Sequence, residues 1–315
     1  MSPGINDVCD IILKAMRSGR AIPFLGAGAS LPGRPEDDDF DWHREGFLPS
    51  GAELARFLAR EYRYPPQNVE PNRSLVRIAQ FADLWDSGLL FEDLRTTFTV
   101  AQEPNEVHHY LARQLGVQQR MGLPNPWPVI VTTNYDDRLE TAFEQAGAPF
   151  DLVTYNGDWS DGSPFRHRDP DGHWRRITPT YDAFEPARRP VILKLHGGIA
   201  ARGEDPEHFV ITEDHYISYL AHDVVQRLPS SLLGLMRDAN FVFLGYRLED
   251  WNVRVLLSRI GTPHPRRRWW AIQRSPSLVD ERFWASHKVD IVETTLESWI
   301  ETMRRRWRAH RRADP

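Results

Sequence analysis

The chain of 315 residues holds a single cysteine, Cys9. No disulfide can therefore form within it, and a structural zinc site of several cysteines is excluded. Lysine is nearly as scarce, with three (Lys14, Lys194, Lys288) against 36 arginines. No apolar run approaches the ~18 residues of a membrane span. Met1–Asp10 lacks a basic stretch followed by an apolar core, so no secretory signal is read there and a cytoplasmic location is expected. The net charge of −5 provides no general attraction to nucleic acid or acidic membranes, and neither is expected as a partner. Two nucleotide-binding signatures also fail. The GxGxxG fingerprint needs glycine at 31, where Leu31 stands, and no Gly-Lys-Ser/Thr P-loop is present.

What remains is ample core material. Hydrophobic residues make up 41% and aromatic residues 11%, which excludes disorder as the dominant state. Ala21–Leu25, Val129–Thr133, Val191–Leu195, Phe241–Leu244, Trp269–Ile272 and Asp290–Val292 read as strands. Most are apolar throughout, as strands buried on both faces of a parallel sheet are. Pro23 is the misfit, since proline cannot donate to a ladder. Helical spacing marks Val8–Arg17, Glu53–Tyr62 capped by Ser50, Leu75–Trp85, Glu106–Leu115, Arg138–Ala146, Val224–Met236, Trp251–Ile260 and Leu296–Arg306.

The alternation predicts an α/β fold, a Rossmann-like doubly wound parallel sheet. About 100 residues separate the first two strands, more than one crossover needs, so a smaller helical module inserted over about 50–125 is expected. The whole chain is read as one domain, with an irregular insertion over about 155–190 that has room for a hairpin, and a C-terminal helix with a basic tail over 295–315.

In open α/β sheets ligands sit beyond the carboxyl ends of the strands. Four strand ends carry chemistry. Gly26-Ala27-Gly28-Ala29-Ser30 follows the first, Asn134-Tyr135-Asp136 the second, His196-Gly197-Gly198 the third and Gly245-Tyr246 the fourth. A glycine turn lets backbone approach a phosphate, but it equally serves a tight strand–helix turn. Asn and Asp orient water or hydroxyls, and equally cap helices. A neutral imidazole is a competent general base, and equally a hydrogen-bonded structural group. The other histidines show no metal-ligand spacing, and no metal is expected.

These motifs, in this order, resemble those of sirtuins, and most closely the divergent sirtuin-like domains of bacterial anti-phage defence proteins. Gly46-Phe47-Leu48-Pro49-Ser50, Thr212-Glu213-Asp214-His215-Tyr216 and Leu244–Asn252 look like the same branch. The resemblance spans roughly 21–260 and implies a Rossmann-like sheet that binds NAD. Carried over by position, it implies that Ala27, Gly28 and Ser30 line the diphosphate and that Gly26 and Thr133 belong to the same NAD-binding site. Asn134 would hold the nicotinamide-side ribose or the attacking water, and Asp136 would meet the carboxamide. His196 would be the general base, with Gly245 and Tyr246 near the adenosine ribose.

The chemistry suits those residues. Nicotinamide leaves as a neutral molecule through an oxocarbenium-like transition state, so no leaving-group acid is needed. A fixed ribose, a positioned water and one base suffice. The expected function is an NAD+ glycohydrolase with NAD as substrate, an NAD-depleting defence effector held silent by homo-oligomerisation or by a partner protein such as an ATPase. An NAD-dependent protein deacylase is disfavoured by the missing zinc cysteines. A non-catalytic NAD- or ADP-ribose-binding regulatory module is the remaining alternative.

Overall fold

A computed structural model describes residues 4–35, 40–100, 102–157, 159, 163–199, 208–246, 260 and 267–313, with 225, 312 and 313 described by backbone alone. The first strand, β1 (Ala21–Leu25), is buried at every position and lies in the middle of a nine-stranded sheet. The strands, in chain order, are β2 (Val129–Thr132), β3 (Asp151–Tyr155), β4 (Phe165–Arg168), β5 (Trp174–Arg176), β6 (Val191–Lys194), β9 (Asn240–Leu244), β10 (Trp269–Gln273) and β11 (Val289–Glu293). Two further short strands, β7 (Gly197–Gly198) and β8 (His208–Phe209), pair with each other outside the sheet.

The order across the sheet is β11-β10-β9-β1-β2-β6-β3-β4-β5. All pairings from β11 to β3 are parallel, while β3–β4 and β4–β5 are antiparallel. The chain fills one side of β1 first and then crosses to the other, so β1 marks the topological switch where α/β proteins place their ligands.

Alternate residues of each parallel strand enter different cores. Ile22, Phe24, Val129, Val131, Phe241 and Phe243 face one cluster. Ala21, Leu25, Ile130, Ile192, Val242 and Leu244 face the other, beneath α1 (Ile5–Arg17), α4 (Glu106–Gln119), α5 (Arg138–Gln145) and α9 (Leu296–Ala313). Burial of both faces is why these strands are apolar without alternation. Pro23 is accommodated because β2 pairs with β1 only from Phe24 onward, which leaves the proline beside the β9 ladder alone.

A third core joins α2 (Gly51–Glu61) to α3 (Leu75–Phe98) and includes Leu54, Leu58, Ile78, Leu94, Phe209 and Ile211. The Ser50–Glu53 capping box forms as expected. Helix α3 continues beyond Trp85 across a kink at Asp86. The expected helix over Val224–Met236 is corrected. Pro229, which cannot continue a helix from within, separates a 3-10 turn at Val224–Arg227 from α7 (Ser230–Arg237). The stretch 155–190 carries β4 and β5, which extend the sheet antiparallel. Helices α6 (Glu213–Ala221) and α8 (Leu278–Ser286) complete the described elements. Trp251–Ile260 lies outside the described residues except for Ile260. No described helix is long and apolar enough to cross a membrane.

Candidate active site

Because β1, β2, β6 and β9 run parallel, their carboxyl ends lie on one edge, and the turns leaving them meet there. Gly26–Ser30 leaves β1 as a 3-10 turn, with Ala27 exposed and Gly28 half-buried. The Gly28 N–H donates to the Gly245 carbonyl at 2.9 Å. A Cβ at Gly28 would stand 2.7 Å from that oxygen, and one at Gly245, whose φ is +66°, would stand 2.0 Å from the Ala29 nitrogen. The two glycines thus interlock the β1 and β9 turns, and that contact alone accounts for both. Gly26 is equally required, since its Cβ would meet the Tyr246 ring at 2.5 Å. The Tyr246 hydroxyl lies 3.4 Å from Thr133 Oγ1, and its carbonyl accepts from Gln273 Nε2 at 2.8 Å.

The turn after β2 brings Asn134 and Asp136 to Ser30. The Ser30 hydroxyl donates to Asp136 Oδ2 at 3.1 Å and accepts from Asn134 Nδ2 at 3.2 Å. Its single proton is therefore committed, so its hydroxyl acts here as a bridge between the two side chains. Asp136 Oδ1 accepts from the Arg138 N–H at 3.0 Å. Thr132 Oγ1 accepts from the Asn134 N–H at 3.0 Å and holds the turn's backbone. Asn134 is only 8% exposed, and its Oδ1 has no hydrogen-bond partner among the described residues. A buried carbonyl left so costs on the order of 1–3 kcal/mol, which a bound water or ligand hydroxyl would recover.

His196 is buried on the loop after β6, with its ring edge-on to Tyr216 and Tyr219 at 5.4 and 5.6 Å. Its own carbonyl accepts from the Val210 N–H at 3.0 Å. Gly197 and Gly198 both have positive φ, and a Cβ at either would strike the His208 or the Tyr135 carbonyl oxygen. Hydrogen bonds thus join Ser30, Asn134 and Asp136, while Gly26, Gly28, Gly245, Tyr246 and Thr133 form the neighbouring β1–β9 wall. His196 reaches the same edge through an aromatic setting of its own. The Thr212–Tyr216 motif explains that setting. Thr212 caps α6, Glu213 and Asp214 bind Arg77 and Gln80 of α3, and Tyr216 meets the imidazole.

Several residues that hold the site carry no motif. Asn105 Nδ2 donates to the Ala29 carbonyl at 2.9 Å, and Gln102 Nε2 to the Ser30 carbonyl at 3.1 Å. Gln102 Oε1 accepts from the Leu48 N–H at 2.7 Å, which ties the Gly46–Ser50 segment to the glycine turn. His108 Nδ1 accepts from the Asn105 N–H at 3.2 Å and so closes the cap of α4, while burial lowers the imidazole pKa to about 4. Glu53 is driven upward by burial, but the forked Arg34 guanidinium and the Ser50 N–H pull it to about 2. Lys194, buried beneath the Asn134–Asp136 turn, pairs with Glu140, whose carboxyl burial pushes up against the lysine's pull.

Among the described residues one trio, Asp169, Asp171 and His173, has metal-ligating atoms within 4.8 Å of one another. Asp169 there already accepts from the His173 and Asp171 N–H groups and from Arg175.

A SIR2-like domain family model matches residues 128–292, just over half of the chain. The chain is 26% identical over 254 residues to an NAD(+) hydrolase ThsA of Acinetobacter baumannii (strain 532279), covering 80% of this chain and 41% of the relative. Defense-associated sirtuin 2 of Bacillus subtilis is 25% identical over 250 residues, covering 78% and 20%. An NAD(+) hydrolase ThsA of Cytobacillus dafuensis is 24% identical over 249 residues, covering 79% and 39%. The chain spans under half the length of these relatives.

Proposed function

The chain belongs to the SIR2-like domain family, and from that premise we propose that it is an NAD+ glycohydrolase, releasing nicotinamide and ADP-ribose as an NAD-depleting effector of anti-phage defence. The observation that carries the proposal is Asn134 Oδ1, buried and unpartnered at the switch edge between the glycine turn and the His196 loop. A buried amide oxygen with spare acceptor capacity orients a hydroxyl or a water. Ser30 fixes the amide through its NH2 group, so the oxygen is the atom left to face a ligand. His196 accepts the proton of the attacking water as the oxocarbenium ion is captured. A positioned base of this kind contributes ~10²–10⁴ in rate. Asp136, already accepting from Ser30 and Arg138, keeps lone pairs for a carboxamide N–H. The exposed side of the Gly26–Ser30 turn and the Gly245–Tyr246 wall receive the remainder of the dinucleotide.

Uncontrolled hydrolysis of NAD would destroy the host, so the proposal includes control by oligomerisation or by a partner protein. The relatives' names point the same way, to NAD hydrolysis and to defence. The test is to incubate purified protein with NAD, with and without an acyl-lysine peptide, and to resolve the products. Free nicotinamide and ADP-ribose without peptide are expected, and Asn134→Ala and His196→Ala should lose the activity at a temperature where each still shows a cooperative, though lowered, melting transition. Full activity in either variant would refute the site. Product that appears only with peptide, as O-acyl-ADP-ribose, would make the protein a deacylase. NAD binding without turnover would make it a regulatory module.

A further inference from the structure

We propose that Lys194 is a positioning residue for this reaction, a buried strut that sets the Asn134–Asp136 turn against the His196 loop. The inference rests on the reading of the site as a nicotinamide-releasing centre. β6 is apolar through Val191, Ile192 and Leu193, and the next residue is a lysine 1% exposed. Its ammonium donates to the Asp136 carbonyl at 2.7 Å, to Glu140 Oε1 at 3.0 Å and to the Tyr135 carbonyl at 3.4 Å. Three N–H donors thus meet three acceptors, and no lone pair is exposed for nucleophilic chemistry.

Stability alone is a poor reason for this arrangement. Removing an ammonium and a carboxylate from water is so costly that well-packed apolar residues of similar volume often serve a fold as well or better. What the amine adds is direction. Two of its bonds end on backbone carbonyls of the turn whose side chains are Asn134 and Asp136. The same lysine lies two residues before His196, and the His196 loop folds over it. A Cβ on Gly198 would stand 3.0 Å from Lys194 Cε and 2.4 Å from the Tyr135 carbonyl. One side chain therefore touches both the turn that carries the water-orienting amide and the loop that carries the base. A displacement of about 1 Å at such a place can cost ~10²-fold in rate.

The test uses the full chain as Glu140→Gln, and as the Lys194→Met/Glu140→Gln pair, which removes both charges and leaves neither unpaired. Glu140→Gln keeps the lysine on its two carbonyls but leaves its charge uncompensated, so it should lose stability while the kcat of the folded protein falls less than in the double variant. The double variant should keep KM within about threefold while kcat falls about a hundredfold. Hydrogen exchange supplies the readout independent of activity. Amides of 133–138 and 195–199 should exchange about tenfold faster in the double variant, with β9 and β10 unchanged. Unchanged kcat, or unchanged exchange in both segments, overturns the strut. So does a double variant that does not fold, because Lys194 would then be structural. Wild-type protein that releases no nicotinamide would instead sink the functional reading, and the exchange result would still decide the strut.

Discussion

The two edges of the sheet solve the burial of polar groups in opposite ways. At the amino edge, beside β3, β4 and the segment entering β6, lies a cavity of about 470 Å3 lined in part by Gln119, His167, Arg175, Arg188 and Arg189. Asp151, wholly buried there, accepts from Arg189 Nε at 2.8 Å and Nη2 at 3.4 Å, and faces His167 Nε2 at 2.9 Å. His167 Nδ1 meets the Tyr181 hydroxyl at 2.7 Å. This histidine and carboxylate satisfy each other and their neighbours. At the carboxyl edge Ser30, Asn134 and Asp136 also interlock, but one amide oxygen is left over. The difference is that the amino-edge network closes on itself, whereas the carboxyl-edge network keeps an acceptor in reserve for the ligand we propose.

The comparison breaks most violently at Gly245. Gly245→Ala forces a Cβ to 2.0 Å from the Ala29 nitrogen at a φ of +66°. It should destabilise the protein by roughly 3 kcal/mol or more in urea unfolding and abolish nicotinamide release. An unchanged unfolding midpoint would show that the two turns do not interlock.

Ser30→Ala and His167→Ala should then separate rate from stability. Ser30→Ala frees the Asn134 amide and is expected to lower kcat by at least about tenfold for a stability loss of about 1 kcal/mol. His167→Ala should lose about 3 kcal/mol yet keep kcat within about threefold at a temperature where it is folded. Equal effects on rate would dissolve the distinction between the edges.

Acid supplies a gentler probe. His108 titrates at about 4 in the folded protein against an ordinary 6.5, and burial lowers His208 likewise to about 4. Between those values the unfolded chain binds more protons. Stability is therefore complete above about pH 6.5 and declines as the pH falls toward 4, by up to about 3 kcal/mol for each histidine. His108→Gln keeps an acceptor for the Asn105 N–H, and should flatten part of the fall in melting temperature between pH 7 and 5, the rest remaining with His208 and with His215, which burial lowers as well. The smallest effect is expected at Gly33, where φ is +86° but an added Cβ meets nothing within 4 Å among the described residues. Gly33→Ala should cost about 1 kcal/mol with activity intact, against the failure at Gly245.

How much of this could be read from the sequence depended on burial. β1, β2, β6, β9 and β10 stand out as apolar runs because both of their faces are covered. β4, Phe165–Arg168, and β5, Trp174–Arg176, form the hairpin expected within 155–190, but they carry arginines suited to a sheet's end, so their bounds and their place in the sheet left no apolar pattern to read. β3, which opens with Asp151 at the amino edge, was hidden for a similar reason. The glycine turn, Asn134, Asp136 and His196 were legible because strand ends in a parallel sheet share an edge. Gln102, Asn105 and Glu140 were not, since a side chain bonded to a distant backbone carbonyl or to a single lysine leaves no local pattern. Lys194 did leave a trace, as a lone ammonium closing an apolar run in a chain rich in arginine.

The embrace of Gly28 and Gly245 has a consequence for timing. One of the two interlocked turns is translated early and the other late, with the helices of the third core and most of the sheet made in between. A nascent chain that has emerged only through the loop after β6 holds the glycine turn, Asn134 and His196, but not the β9 turn that locks onto the first of them. Until β9 is made, the β1 turn therefore stands without the carbonyl that its Gly28 N–H binds in the finished fold.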